Sequence, residues 1–291
     1  MGKKLRTRRH TVVLNRSRGG DTGITFLLIV FGFLMVIPFW FVVVDSFKPL
    51  DELWYWPPRP YVVHPTLKNF SDLIRLMGTS WVPFSRYLFN TFAITILGVL
   101  GNLILGSLAA YSLSKLNYPG RNGLFKVIVW TLMFQQSVAA IVLYILFSKF
   151  GWMDTWLPIL VPQWGSTIGL YLMKNFMDSS IAVEVLESAR LDGSSEWNTF
   201  LKIAMPMVKP AWLTLIVYSF QSLWVTGASP YVFSEDLKTF YYAIQQVLNA
   251  GVTRAGAGAA SNVVMMIVPI VVFVISQSQI IETMGSSGMK D

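Results

Sequence analysis

Four acids, Glu184, Glu187, Asp192 and Glu196, cluster in and around the stretch Glu187-Ser188-Ala189-Arg190-Leu191-Asp192-Gly193. Acids this close could serve proton transfer, but such work needs a matched acid–base partner or a metal. The chain has two histidines, His10 and His64, both in flanking segments, and no cysteine. Thiolate metal sites, disulfides and thiol chemistry are therefore unavailable. No paired carboxylates, metal-ligand cluster or Ser/His/Asp set lies near the apolar runs, so the expected catalytic and metal residues are none. What remains for the acids is charge-assisted contact with a basic surface in water. A second polar set, Gln135, Gln136, Ser137, Gln163, Ser166, Thr167, Gln221, Ser222 and Asn262, is uncharged and lies within apolar runs. Such groups hydrogen-bond between helices or line a path for a hydroxylated solute. Gln135, Gln136, Gln163 and the neighbouring Trp164 are the pathway candidates.

The elements that position these residues are membrane spans. Of 291 residues, 54% are hydrophobic and 13% charged, about half the charged share of a soluble domain. Residues 22–44, 87–114, 127–148, 155–173, 210–234 and 255–281 contain no Asp, Glu, Lys or Arg. Each block is long enough for a helix across a hydrocarbon core of about 30 Å. The runs are continuous rather than alternating, which excludes a β-barrel. The expected fold is an all-α integral membrane protein with six transmembrane helices.

Lys and Arg set the orientation. The first 20 residues carry seven of them, which places residues 1–21 in the cytoplasm as a basic terminus. Residues 22–291 then form a single six-helix domain whose C-terminus returns to the same side. Fifteen Lys and Arg fall inside and eight outside. The net charge of +8 is read as topology, and no nucleic-acid role is expected. The apolar run after Asp21 is too long for a signal peptide, and a retained first span fits it better. The loop 174–209 lies inside; the loops 48–86 and 229–257 lie outside. Interfacial anchoring or ligand contact would explain Trp54 and Trp56 in the first outside loop. Gly98, Gly101, Gly106, Ala109 and Ala110 allow close helix approach on the second span.

The inside loop reads as a helix–turn–helix. Ser180 is suited to cap a short helix ending near Leu191, with Glu184 in its first turn. Gly193 permits a backbone that a side chain resists. A second helix starts at Asp192 or Ser194, with Trp197, Phe200 and Leu201 as an apolar stripe, and closes at Pro206 and Pro210. A pair resting on lipid and a pair docked on protein both fit this pattern. Its acids favour protein.

The loop resembles the cytoplasmic loop of ABC-importer permeases, E-A-A-x-x-x-G followed by I-x-L-P. Glu187, Ser188, Ala189 and Gly193 occupy its first part, and Ile203, Ala204, Met205 and Pro206 its second. Asp192 matches the common D-G pair. Ser188 replaces the usual alanine, and Ala182 stands where many sugar permeases have proline. Ser46-Phe47-Lys48, Lys68-Asn69-Phe70, Ala110-Tyr111-Ser112-Leu113 and the tail from Glu282 are similar to the carbohydrate branch, the tail and last outside loop to its oligosaccharide permeases.

The resemblance implies that Glu184, Glu187, Ser188, Ala189, Asp192 and Gly193 dock a separate ATPase. It implies two ATPase copies, a related second permease subunit, an extracytoplasmic solute-binding protein and an oligosaccharide substrate, uronate-type oligomers included. It also implies a bacterial inner membrane. Tyr231, Lys238, Tyr241 and Arg254 are the expected contacts with the solute-binding protein. No G-x-x-x-x-G-K-[ST] motif occurs, so ATP and magnesium belong to the partner. The rival reading is an ion-coupled secondary transporter of a neutral solute. Such a transporter often carries an ionisable residue within its spans, and the six blocks contain none.

Overall fold

The structure, a computed structural model, describes residues 18–78, 82–133, 136–249 and 251–287. The basic cluster at 3–16, Gln135 and the end of the tail lie outside them. Among the described residues the regular elements are all helical. They are α1 (Arg18–Ser46), α2 (Leu50–Leu53), α3 (Lys68–Gly78), α4 (Phe84–Lys115), α5 (Arg121–Thr131), α6 (Gln136–Lys149) and α7 (Leu157–Trp164). Then come α8 (Thr167–Ser180), α9 (Val183–Leu191), α10 (Glu196–Thr199), α11 (Met205–Met207), α12 (Lys209–Trp224), α13 (Phe240–Leu248) and α14 (Ala255–Ser287).

Among the described residues three helical stretches are long and apolar enough to cross a membrane: Gly20–Ser46, Phe84–Lys115 and Val252–Gln277. A fourth crossing exists if Glu196–Met207 and Lys209–Trp224, bent by 81°, count as one. Among the described residues three or four crossings are thus shown, by length and composition, against the six expected. Span three is divided between α5 and α6, and span four between α7 and α8. Pro162 sits inside α7, which ends at Gly165, and Ser166 restarts the chain by accepting Gly169 N–H at 3.3 Å. At the bend, Pro206 and Pro210 lack the N–H that would continue the ladder, and Trp212 Nε1 donates across it to Met205 O at 3.2 Å.

α4 is the central post. It packs against α7, α8 and α12. Two of the small residues predicted to allow this do so: the Leu223 side chain lies where a Cβ on Gly98 would stand, and the Trp164 indole where a Cβ on Gly101 would stand. Three clusters form the interior. One gathers Ile94, Val99, Leu160 and Leu223 between α4, α7 and α12. The second joins Tyr111, Met173, Met177, Leu186 and Phe200 beneath α9. The third holds Trp224, Phe240 and Ile244 with Leu73 of α3 at the other end of α4. α1 stays apart along much of its length, exposing Phe26, Leu28, Phe33 and Met35. It meets the remainder through α14.

Candidate functional site

The acidic loop is built on α9. Val183 begins this helix after Ala182, which makes no side-chain cap bond. Ser180 is the last residue of α8 rather than the cap expected of it, because α8 runs past the charge-free block to that point. Leu186 and Ala189, three residues apart, share one face and are buried, Ala189 to 6% exposure. Ala189 therefore packs inward under the helix and is not part of the outer surface expected of it. Glu184, Glu187, Ser188, Asp192 and Gly193 are exposed.

Sequence reasoning missed Leu191. It is 90% exposed and ends the helix on the side away from the core. A leucine set between Arg190 and Asp192, just before a glycine, was the available signal.

The helix closes on glycine. Gly193 has φ +77°. Its N–H donates to Arg190 O at 3.0 Å, and Ser194 N–H donates to Ala189 O at 3.0 Å. This pair of bonds is the Schellman closure, which favours glycine at the left-handed position. α10 then starts at Glu196, with Ser195 Oγ accepting Asn198 N–H at 3.3 Å. The stripe expected of Trp197, Phe200 and Leu201 is not continuous. Phe200 is buried, while Trp197 and Leu201 are exposed, because Phe200–Ala204 form a wider π-helical turn.

Polar bonds tie the loop to α4. Tyr111 O–H donates to Glu196 Oε2 at 3.2 Å, and Arg190 Nε donates to Glu196 Oε1 at 2.6 Å. Lys115 Nζ donates to Ile181 O at 2.7 Å, and Ser114 Oγ to Asp178 Oδ1 at 2.5 Å. These bonds join α8 and the segment after α9 to the end of α4.

The opposite end is held more tightly than its sequence implies. Lys48 is 2% exposed and its Nζ donates to Asp45 Oδ1 at 2.6 Å and Arg59 O at 2.7 Å. In the loop 229–257, α13 packs on α14 and α4. Three of the expected contact residues are engaged within the chain. Tyr231 packs its ring on Phe147 at 5.1 Å and donates to Ala140 O at 3.3 Å. Lys238 pairs with Glu235 at 2.7 Å and bonds Tyr242. Tyr241 lies half-buried against Gly227. Arg254 alone of the four is exposed.

Asp154 latches this loop to the turn before α7. It accepts N–H from Phe233 at 2.9 Å and from Ser234 at 2.7 Å, and the Ser234 hydroxyl donates to it too. The Ser234 hydroxyl and N–H, then Phe233 N–H, hold its carboxyl below the usual carboxylate range. A depressed folded pKa means that the latch is complete above the ordinary aspartate value and lost as pH falls through the folded one. Amide protection at Phe233 and Ser234, corrected for intrinsic exchange, is expected to be high at neutral pH and to fall in acid. Asp154→Ala is expected to lower it at neutral pH and to leave it unchanged in acid, where the latch is already lost; unchanged protection at neutral pH in that variant refutes the latch.

The uncharged polar set divides. Trp164 Nε1 donates to Leu97 O at 3.0 Å, which makes this residue a packing element between α7 and α4. Gln136 starts α6. Gln163 lines a cleft of about 440 Å³ with Thr131, Ser166, Thr167, Tyr218 and Ser222.

These features find parallels among known proteins. Residues 102–284 match the model of the family described as binding-protein-dependent transport system inner membrane component. The chain is 26% identical to the Bacillus subtilis polygalacturonan/rhamnogalacturonan transport system permease protein YtcP, covering 72% of this chain and 70% of that one. It is also 26% identical to the galactooligosaccharides transport system permease protein GanQ of the same organism, over 91% and 94% of the two chains. One chain of the crystal structure of a bacterial ABC transporter involved in the import of the acidic polysaccharide alginate superposes with TM-score 0.75 at 21% identity. The match covers 91% of this chain and 98% of that one. A transport component of this kind is not itself an enzyme, and the ion-coupled reading gives way to one in which a binding protein delivers the solute. The chain belongs to the inner membrane components of binding-protein-dependent transport systems.

Proposed function

We propose that this chain is one permease subunit of an ATP-driven ABC importer of oligosaccharides. It docks its ATPase through the outer face of α9 and the turn after it. The observation that carries this reading is the exposed set Glu184, Glu187, Ser188, Leu191, Asp192 and Gly193, presented on a short helix that α4 and α8 brace from behind. Acids on the exposed face suit a basic groove, and Leu191 offers apolar area to bury.

On this reading residues 22–291 form one permease domain. The broken helices α5–α6 and α7–α8 each complete a crossing, which brings the number of spans to six. The N- and C-termini and the loop 174–209 face the cytoplasm, where ATP and magnesium are held by two copies of the partner. A related, different permease subunit supplies the other half of the path. The loops 48–86 and 229–257 face the solute-binding protein, with Arg254 and the exposed Phe233 and Val252 as the contact surface rather than Tyr231, Lys238 and Tyr241. The names of the two Bacillus relatives support oligosaccharides as the substrate class.

The test is reconstitution of the whole assembly in proteoliposomes. Uptake of labelled oligosaccharide is expected to require ATP on the ATPase side and the binding protein on the other. Crosslinks to the loaded binding protein are expected from residue 254 and not from 238. Uptake driven by an ion gradient without ATP, or crosslinks confined to residues 48–86, would overturn the respective parts.

A further inference from the structure

The two divided spans meet at one place. α5 ends at Thr131, α7 ends at Trp164 and α8 begins at Thr167. Thr131 Oγ1 lies 3.3 Å from Thr167 Oγ1, so the two breaks touch. The cleft of about 440 Å³ opens there, with Tyr218 and Ser222 of α12 as its third wall. Its size falls within the roughly 300–1,000 Å³ of small-molecule sites.

Breaking a helix within hydrocarbon frees backbone donors and acceptors that lipid cannot satisfy. Such breaks persist where they line a cavity or are buried in protein, and paired interrupted spans mark binding sites in other transporters. Ser166 satisfies one freed donor, Gly169 N–H. Gln163 is left incomplete: its Nε2 is shut off from solvent and has no hydrogen-bond partner among the described residues. Trp164, one residue on, is fully committed to Leu97 O.

The lining defines the ligand. Hydroxyls of Thr131, Ser166, Thr167, Tyr218 and Ser222 and the carboxamide of Gln163 both donate and accept hydrogen bonds. The Tyr218 ring offers a flat apolar face. Among the described residues, no Asp, Glu, Lys or Arg lines the cleft. A carboxylate entering it would find no cation, whereas a ring bearing only hydroxyls would find partners on several sides. We propose that this cleft is a saccharide-binding subsite of the translocation path, selective for uncharged sugar units.

The inference rests on the importer reading, so the test uses the reconstituted importer. Uptake of a neutral galacto-oligosaccharide and of an oligogalacturonate is measured beside ATP hydrolysis stimulated by the binding protein. Gln163→Leu keeps the volume and removes the carboxamide; Ser222→Ala removes one hydroxyl on the facing wall. In each variant, the number of neutral sugars moved per ATP hydrolysed is expected to fall at least fivefold, with stimulated hydrolysis retained. If Gln163→Leu does not assemble, Ser222→Ala decides alone. An unchanged ratio in the assembled variants overturns the subsite and leaves the importer standing. A Gln163→Leu variant with low yield of complex, with wild-type ratios in both assembled variants, assigns Gln163 to the subunit interface and also overturns it. No ATP-dependent uptake of either sugar by the wild type sinks the importer reading, and the subsite falls with it.

Discussion

Glu187→Lys is expected to leave the chain in the membrane at normal abundance while its ATPase no longer copurifies and uptake is lost. Glu187 lies on the exposed side of α9, opposite buried Leu186 and Ala189. The substitution therefore changes nothing that holds the helix to the core. Its effect falls on the partner. Loss of a hydrogen bond to a charged group weakens binding by roughly 1.5–3 kcal/mol, about ten- to hundredfold. Placing a cation against a basic groove adds repulsion. Leu191→Ala provides a second measure on the same surface. A fully buried leucine side chain is worth about 1.5–3 kcal/mol, so truncation lowers ATPase association without altering charge. Membrane abundance, ATPase copurification and uptake are read together. Normal association and uptake with Glu187→Lys would remove α9 as the docking element.

The parts legible in the sequence were those written in composition or in a single residue's constraint. Absence of charge marked every apolar segment, because ionisable groups in lipid are expensive. Gly193 marked a turn because few other residues adopt its backbone. What was not legible depended on partners distant in the chain. Blocks 127–148 and 155–173 read as continuous spans, yet each is divided. Pro162 and Gly165 are present in the sequence, but proline also occurs inside the unbroken helices α1 and α14. Proline alone therefore does not decide between a tolerated site and a break. Ala189 read as part of the docking surface because the motif groups it with Glu187. The helical period turns it toward Met177 and Phe200 instead. Lys238 looked available for steering until the fold placed Glu235 and Tyr242 around it. Leu191 was passed over because lone exposed apolar residues are ordinary. Its meaning comes from its place at the end of a braced helix.

Gly193→Val is expected to uncouple transport as severely as Glu187→Lys, by a different route. A Cβ at residue 193 would meet nothing within 4 Å, so crowding is not the cause. The cause is the backbone. At φ +77° an ordinary L-residue is disfavoured by roughly 1–2 kcal/mol, and a β-branched residue is an outlier. Valine draws the chain out of the left-handed region and breaks the bonds from Gly193 N–H to Arg190 O and from Ser194 N–H to Ala189 O. The chain leaving α9 is then redirected. Asp192 moves off the docking face, and Glu196 moves away from Arg190 and Tyr111, the polar link between the loop and α4. Asparagine enters the left-handed region more readily than other residues with side chains, so Gly193→Asn is expected to retain most ATPase association and uptake. The contrast separates backbone geometry from simple loss of glycine at a contact surface. If asparagine and valine impair association equally, an ATPase side chain packs against the bare glycine and the turn is not the reason for it. If neither impairs association, the turn after α9 plays no part in coupling.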